Sequence, residues 1–286
     1  MSSVLEDQLA AYRAETYRSS ADRRIARRDD AVRFVAERGF AYLWPIRDVT
    51  MPSLWVAVAG DRPVPDEHDD AGHITWRWKD ELLGSRLWYY AKVLRRKATF
   101  ISPELLPSFY ALSENFGDIE ADTREMYRTG RLSREARTLV ETLLEHGQLD
   151  TVSLRRLARM TSRAADSAYN RAMEQLQADF KIVPVGVAEA GAWRYAFIYD
   201  ITTRFYPELG ERARLIRQTA ARETLLRCYL GSVGAATPRE IGLLFRWSGD
   251  QVREASAPLC SSGEAVEDAR LAGGRDPCLA LRELVA

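Results

Sequence analysis

Net charge is the first thing this sequence lacks. Its 41 Lys and Arg residues balance 41 Asp and Glu. That removes the bulk electrostatic pull that draws strongly basic chains onto nucleic acid, so any such role has to come from local basic patches. Cysteine is scarce as well. Cys228, Cys260 and Cys278 are odd in number and far apart; they make neither a disulfide framework nor a CxxC zinc pattern, and are expected as partly buried free thiols. No run approaches the ~18 apolar residues of a membrane span. The polar opening "MSSVLEDQLAAYRAETYRSSADRRIARR" has no apolar core for a signal peptide. A cytoplasmic chain with no membrane partner is the expectation. What remains is ordinary: 46% hydrophobic and 29% charged residues are globular proportions, and 286 residues suffice for two or three small cores.

The first forty residues read as helix, with Gly39 as a C-cap. Residues 41–73 carry four of the eleven prolines and little periodicity, and read as an irregular segment holding a short strand or two. Ser102-Pro103-Glu104 has the Ser N-cap, early Pro and first-turn acid of a helix start. The remainder is better organised. "SREARTLVETLLEHG" is a helix, "LDT" a short strand, "VSLRRLARM" a short helix. "RAADSAYNRAMEQLQ" then puts Ala165, Ala168, Tyr169, Ala172, Met173 and Leu176 on one helical face. "FKIVPVGVA" and "AWRYAFIYDI" flank a turn at Glu189-Ala190-Gly191 as a β-hairpin. The order then repeats: helix "ARETLLRCYLGSVG", strand "AAT", helix "PREIGLLF" behind a Thr237–Glu240 capping box, and a turn at Arg246-Trp247. A helix opened by Ser248 and Gln251 follows, then two strands around Gly273-Gly274. The fold class read from this order is mainly α with small β-hairpins, as tandem winged-helix domains. The expected division is an N-terminal helical or winged-helix domain at 1–130 and two further winged helices at 131–210 and 211–286.

Three stretches give this chain a resemblance: "LWYYAKVLRRKATFISPELLP", "NRAMEQLQADFKIVPVGV…WRYAFIYDITTRFYP" and "LLRCYLGSVGAATPREIGLLFRWSGDQVREASAPL". It resembles the AlkZ/YcaQ-like winged-helix proteins, bacterial DNA glycosylases and relatives that excise alkylated or crosslinked bases, from about residue 30 onward. The resemblance implies a DNA-binding protein of the repair-glycosylase type, with double-stranded DNA as partner and no cofactor. The alternative from another class is a winged-helix module that binds DNA or protein without chemistry. The family carries a Gln-apolar-Gln or Gln-apolar-Asp motif shortly after its first helical region. Here the nearest stretch by position, Leu43-Trp44-Pro45-Ile46, has neither a glutamine nor a carboxylate. Gln175-Leu176-Gln177 spells the motif at the end of a recognition helix and reads as coincidence.

Candidate DNA contacts follow from winged-helix docking, with the third helix in the major groove and the wing on the backbone or minor groove. Removing the apolar stripe from 163–177 leaves Arg163, Asp166, Ser167, Asn170, Arg171 and Glu174 outward, of which Arg163, Asn170 and Arg171 are the candidate contacts, and Arg155, Arg156 and Arg159 add charge from the helix before it. The competing reading is an ordinary solvated face. Trp193 and Arg194 lie just past the wing's turn, as a wedge and a phosphate contact, unless Trp193 packs under the hairpin. Lys92, Arg95, Arg96 and Lys97 beside Trp88, Tyr89 and Tyr90 make the best local basic patch.

"PDEHDDAGHITWRWKD", residues 65–80, holds two of the chain's three histidines. His68 and His73 match no metal-ligand spacing, so no metal is expected. If the family's glutamine motif is absent, Glu67, Asp69 or Asp70 are the candidate catalytic carboxylates, stabilising an oxocarbenium-like sugar and positioning a water. The plain alternative is a solvated, turn-rich loop.

Overall fold

The computed structural model describes residues 3–4, 6–65, 70–113, 115–271 and 276–285. After strand β1 (Ser3–Val4) and helix α1 (Glu6–Thr16), one pattern of elements occurs three times. The first copy is α2 (Arg28–Arg38), β2 (Phe40–Tyr42), α3 (Leu54–Ala59), α4 (Asp70–Leu82), β3 (Tyr89–Lys92) and β4 (Ala98–Ile101). Helices α5 (Leu106–Ala111) and α6 (Ile119–Arg128) lead to the second: α7 (Arg134–His146), β5 (Leu149–Asp150), α8 (Thr151–Leu157), α9 (Asp166–Ala178), β6 (Ile182–Ala188) and β7 (Ala196–Ile201). Helices α10 (Thr202–Phe205) and α11 (Leu209–Arg214) lead to the third: α12 (Gln218–Val233), β8 (Ala235–Ala236), α13 (Pro238–Phe245), α14 (Gly249–Ser261), β9 (Ala265–Leu271) and β10 (Pro277–Leu281). In each copy the second strand of the hairpin lies in the middle of a small sheet: β2-β4-β3, β5-β7-β6 and β8-β10-β9. Helix, short strand, two helices and a wing make this a winged-helix fold repeated in tandem.

Local chemistry sets most of these boundaries. Ser133 Oγ accepts from the Ala136 amide at 3.1 Å, and Asp150 accepts from Val152 and Ser153 at 2.9 and 3.0 Å, so α7 and α8 have their orphan donors satisfied. Both capping boxes in the third copy form, Thr237 with Glu240 and Ser248 with Gln251. Gly39 closes α2 at φ 71°, a left-handed conformation that glycine reaches without a Cβ clash. Ser102 caps as expected, its hydroxyl accepting from the Leu105 amide at 3.3 Å and its carbonyl from the Leu106 amide at 3.0 Å, but the regular helix α5 begins only at Leu106.

The stretch 65–80 corrects another expectation. Asp70–Leu82 is a helix rather than a turn-rich loop. Ala71, Thr75, Trp78, Lys79 and Leu82 point inward at helical spacing, but two of those five are polar and hide the stripe. Glu67, His68 and Asp69 lie outside the described residues.

The second copy has its own core of Leu139, Leu143, Leu154, Tyr169, Met173 and Leu176 with the wing's Ile182 and Tyr199. The expected apolar face of 163–177 is the face that packs here. A larger core joins the copies. Phe40, Tyr89 and Ile101 of the first pack with Phe109 of α5, Phe180 after α9, and Leu225, Tyr229 and Leu230 of α12. The N-terminal segment belongs to the third copy in space: β1 pairs parallel with β9, and Tyr12 and Arg13 donate to the carbonyls of Gly231 and Val233 at 2.8 and 2.9 Å. Among the described residues no helix is long and apolar enough to cross a membrane.

Candidate nucleic-acid interface and junction pocket

The second copy presents an exposed, arginine-bearing face. Arg156 and Arg159 on and after α8, and Arg163, Asn170 and Arg171 on and before α9, are all exposed. Arg171 is hydrogen-bonded to the Ser167 hydroxyl one turn back. Arg155 is engaged within the fold. Its guanidinium donates twice to the Met160 carbonyl at 3.1 and 3.0 Å, pairs with Asp166, and lies 4.6 Å over the Tyr169 ring. Those partners brace the turn between the two helices.

At the wing tip, Trp193 is 90% exposed. It does not pack under the hairpin, and an indole left in water at a turn is free for a partner. Arg194, at φ 49°, is paired with Glu189. In the first copy's wing, Arg95 and Lys97 are exposed, while Lys92 bridges to Glu174 of α9 at 2.9 Å. Trp88 and Tyr89 are fully buried, so the rings of this basic patch face the core.

Lys79, missed from the sequence, is wholly buried where α4 meets the second wing. Its Nζ contacts Asp80 Oδ1 at 2.7 Å and donates to the Tyr195 hydroxyl at 2.9 Å. Trp76 and Phe197 place their ring centroids 3.7 and 4.5 Å from it. Burial lowers the ammonium to about 8 although Asp80 pulls the other way. Tyr195 in turn donates to Asp80 at 2.9 Å, and burial and that carboxylate raise its phenol. A lysine at an apolar helical position, followed by an acid, was the only trace of this network in the sequence.

A cavity of about 360 Å³ opens where the three copies meet. Its walls come from the first wing's turn (Leu94, Arg95), the end of α9 (Asp179, Phe180) and the turn into α14 (Phe245, Arg246, Trp247). The Phe245 and Trp247 rings stack at 4.4 Å and 16°. Burial pushes the Asp179 carboxyl above its ordinary range, against a Gln175 hydrogen bond and the positive charges of Lys181, Arg246 and Arg96. A titratable group perturbed by burial, inside a concave site with convergent polar groups, marks a candidate functional site. Nothing in local sequence marks Asp179; the helix end places it.

The sequence-derived acids sit elsewhere. Asp70 is exposed in the first turn of α4 and is not among the pocket's lining residues. Among the described residues no group of three or more His, Cys, Asp or Glu is arranged to hold a metal. Leu43 is buried and tied by backbone to Ala98 and Trp55; Trp44 lies 6.3 Å from the Trp55 ring. Gln177 is buried, accepting from the Lys92 amide and donating to Met173 at 3.2 and 3.0 Å, while Gln175 donates to the Arg131 carbonyl at 2.6 Å. Both glutamines hold neighbouring elements together.

A family model described as AlkZ related matches residues 25–246. Among solved structures, the chain is similar to the Streptomyces sahachiroi DNA glycosylase AlkZ, at 16% identity and a TM-score of 0.60. The alignment covers 98% of this chain and 71% of that one, and at that identity it speaks for the fold. No curated protein matches.

Proposed function

The chain belongs to the AlkZ-related family, and from that premise we propose that it binds duplex DNA and hydrolyses the N-glycosidic bond of an alkylated or crosslinked base. One observation carries the reading. A wing turn and the start of a recognition helix, elements that winged helices use on DNA, converge with the end of another recognition helix on one pocket. In the reaction, water's oxygen bonds to C1′, the C1′–N electron pair leaves with the base, and a carboxylate takes the water's proton. Arg156, Arg159, Arg163, Asn170 and Arg171 are the proposed groove and phosphate contacts, with Trp193 and Arg194 at the wing and Arg95, Arg96 and Lys97 on the first copy. Asp70 and its neighbours Glu67 and Asp69 remain proposed catalytic carboxylates. The repeat division 1–130, 131–210 and 211–286 is likewise proposed.

A second reading, duplex binding without chemistry, is favoured by the segment after β2. Leu43-Trp44-Pro45-Ile46 offers no amide or carboxylate side chain there. Abasic-site formation on duplexes carrying N7-alkylguanine separates the two. Product formation lost in the Asp70→Asn variant supports the catalytic reading with that residue as the acid. No product at enzyme excess, with salt-sensitive duplex binding retained, overturns it in favour of binding alone.

A further inference from the structure

Lys79 is walled in by two copies at once. We propose that the outer half of the second copy's wing is a strap hinged at a bulge in β6, closed over Lys79 when that amine is neutral and lifted from α4 more often when it carries a proton. The proposal goes beyond the reading above and holds for whatever partner the wing tip meets.

Three observations carry it. The first is the make-up of the box. Helix α4 and strand β3 supply Trp76, Asp80 and Tyr90, and the wing supplies Tyr195 and Phe197. Lys79 is wholly buried, yet the Trp76 ring beside it is 40% exposed, so the charge lies one ring below water. The second is a division within the wing. Its base, Ile182, Tyr199 and Ile201, belongs to the second copy's core, while Val187 farther out packs against the first copy's core. Tyr195 holds the outer half to α4, accepting from Lys79 and donating to Asp80, each at 2.9 Å. Between the two halves the ladder slips at Pro184 and Gly186. A bulge bends its strand, and a glycine beside it supplies a hinge. The third is charge. Burial brings the enclosed lysine to about 8 although Asp80 pulls the other way, and lifting the strap returns it to the ordinary 10.5 of a solvated amine. The lifted wing therefore binds more protons than the closed one, and closing is favoured as pH rises between those two values. The titratable groups facing Nζ are Asp80 from α4, Tyr90 from β3 and Tyr195 from the wing. Burial raises both phenols, so they keep their protons while Lys79 titrates.

The strap carries Trp193 and Arg194, directly before Tyr195 in the chain. Each lift therefore moves the side chains that the wing tip presents. The tip has two poses, one braced on α4 and one free of it, and the proton on Lys79 sets their balance.

The test acetylates the full chain sparingly with an amine-selective succinimidyl ester and follows each lysine by mass spectrometry. Two other lysines of the same chain serve as controls. Lys97 is exposed and reports the reagent's own reactivity. Lys181 is wholly buried at the base of the wing and reports unfolding of the second copy. Lys79 reacts only from the lifted wing, so its rate relative to Lys97 follows the lifted fraction. That ratio is expected to fall roughly 25-fold from pH 7.0 to pH 9.5, the change that values of about 8 closed and 10.5 lifted require. Lys79 is also expected to react faster than Lys181. Tyr195→Phe keeps the ring and removes both hydrogen bonds, and should raise the ratio about tenfold at pH 7.0. A ratio that stays flat or rises with pH overturns the proposal. So does Lys79 reacting no faster than Lys181, or a Tyr195→Phe ratio equal to that of the unaltered chain.

Discussion

Replacing Asp80 by asparagine should make the protein's stability start to rise with pH at a lower pH than in the wild-type chain. The perturbation leaves the shape of the Lys79 box intact and removes only its counter-charge. In the native chain Lys79 Nζ is 2.7 Å from Asp80, yet burial still lowers it from the ordinary 10.5 to about 8. That drop corresponds to about 3 kcal/mol of preference for the neutral form. Cation–π attraction from Trp76 and Phe197 opposes it by roughly 1–2 kcal/mol. Stripping one partner from a fully buried ion pair costs about 3–5 kcal/mol. Asp80 keeps 21% side-chain exposure, and the asparagine oxygen still accepts a hydrogen bond, so about 2–3 kcal/mol is expected at pH 7. The lysine of the folded variant then loses its proton further below pH 8, while the unfolded chain keeps it until about 10.5. Between its folded and unfolded values the unfolded state binds more protons, so stability rises with pH; the variant's rise begins first, and the deficit shrinks up to about pH 8, above which the wild-type lysine titrates as well and the two rise together. Urea melts of both proteins at pH 7.0 and 9.5 provide the assay. A deficit of equal size at both pH values would refute the argument, because the loss would then be packing and not charge.

Two further outcomes concern the interface and the fold. Converting Arg163 and Arg171 to glutamine should lower the slope of log affinity against log salt by about 2, roughly 0.9 per lost phosphate contact, with similar weakening on every duplex sequence; an unchanged slope removes these residues from the phosphate set. Gly39→Ala should cost about 1–3 kcal/mol in chemical melts. The residue sits at φ 71°, and a Cβ there would run into the Leu105 side chain and the Cys228 sulfur. A variant as stable as wild type would mean that this helix end can shift.

Legibility in the sequence followed the range of the interactions. The Thr237 and Ser248 capping boxes and the hairpin at 182–201 are closed by residues a few positions apart, and they form as read. The first copy read only as a helical or winged-helix domain because α3 is six residues long. Helix α4 was hidden because its inward face includes Thr75 and Lys79, which no apolar pattern registers. Arg155 looked like Arg156 until Asp166 and Tyr169 came beside it. Trp193 read equally well as packing or as a protruding ring, since hairpin alternation does not settle the side on which a tip residue falls. The junction pocket was beyond reach, because Arg95, Asp179 and Trp247 are brought together only when three copies share one core.

The pairing of Ser3 with Arg270 sets an order of events during synthesis. Helix α1 leaves the ribosome early, but the Gly231 and Val233 carbonyls that Tyr12 and Arg13 hold follow about 220 residues later. At about 5–20 residues per second that is a wait on the order of ten seconds or more. During it the second winged helix, whose core is its own, has time to fold. The apolar faces of β1 and α1 stay in solution until α12 and β9 arrive. Strand β1 and helix α1 can therefore dock only after α12 and β9 are made, and a nascent chain stalled before residue 231 would leave both elements exposed to chaperones and proteases.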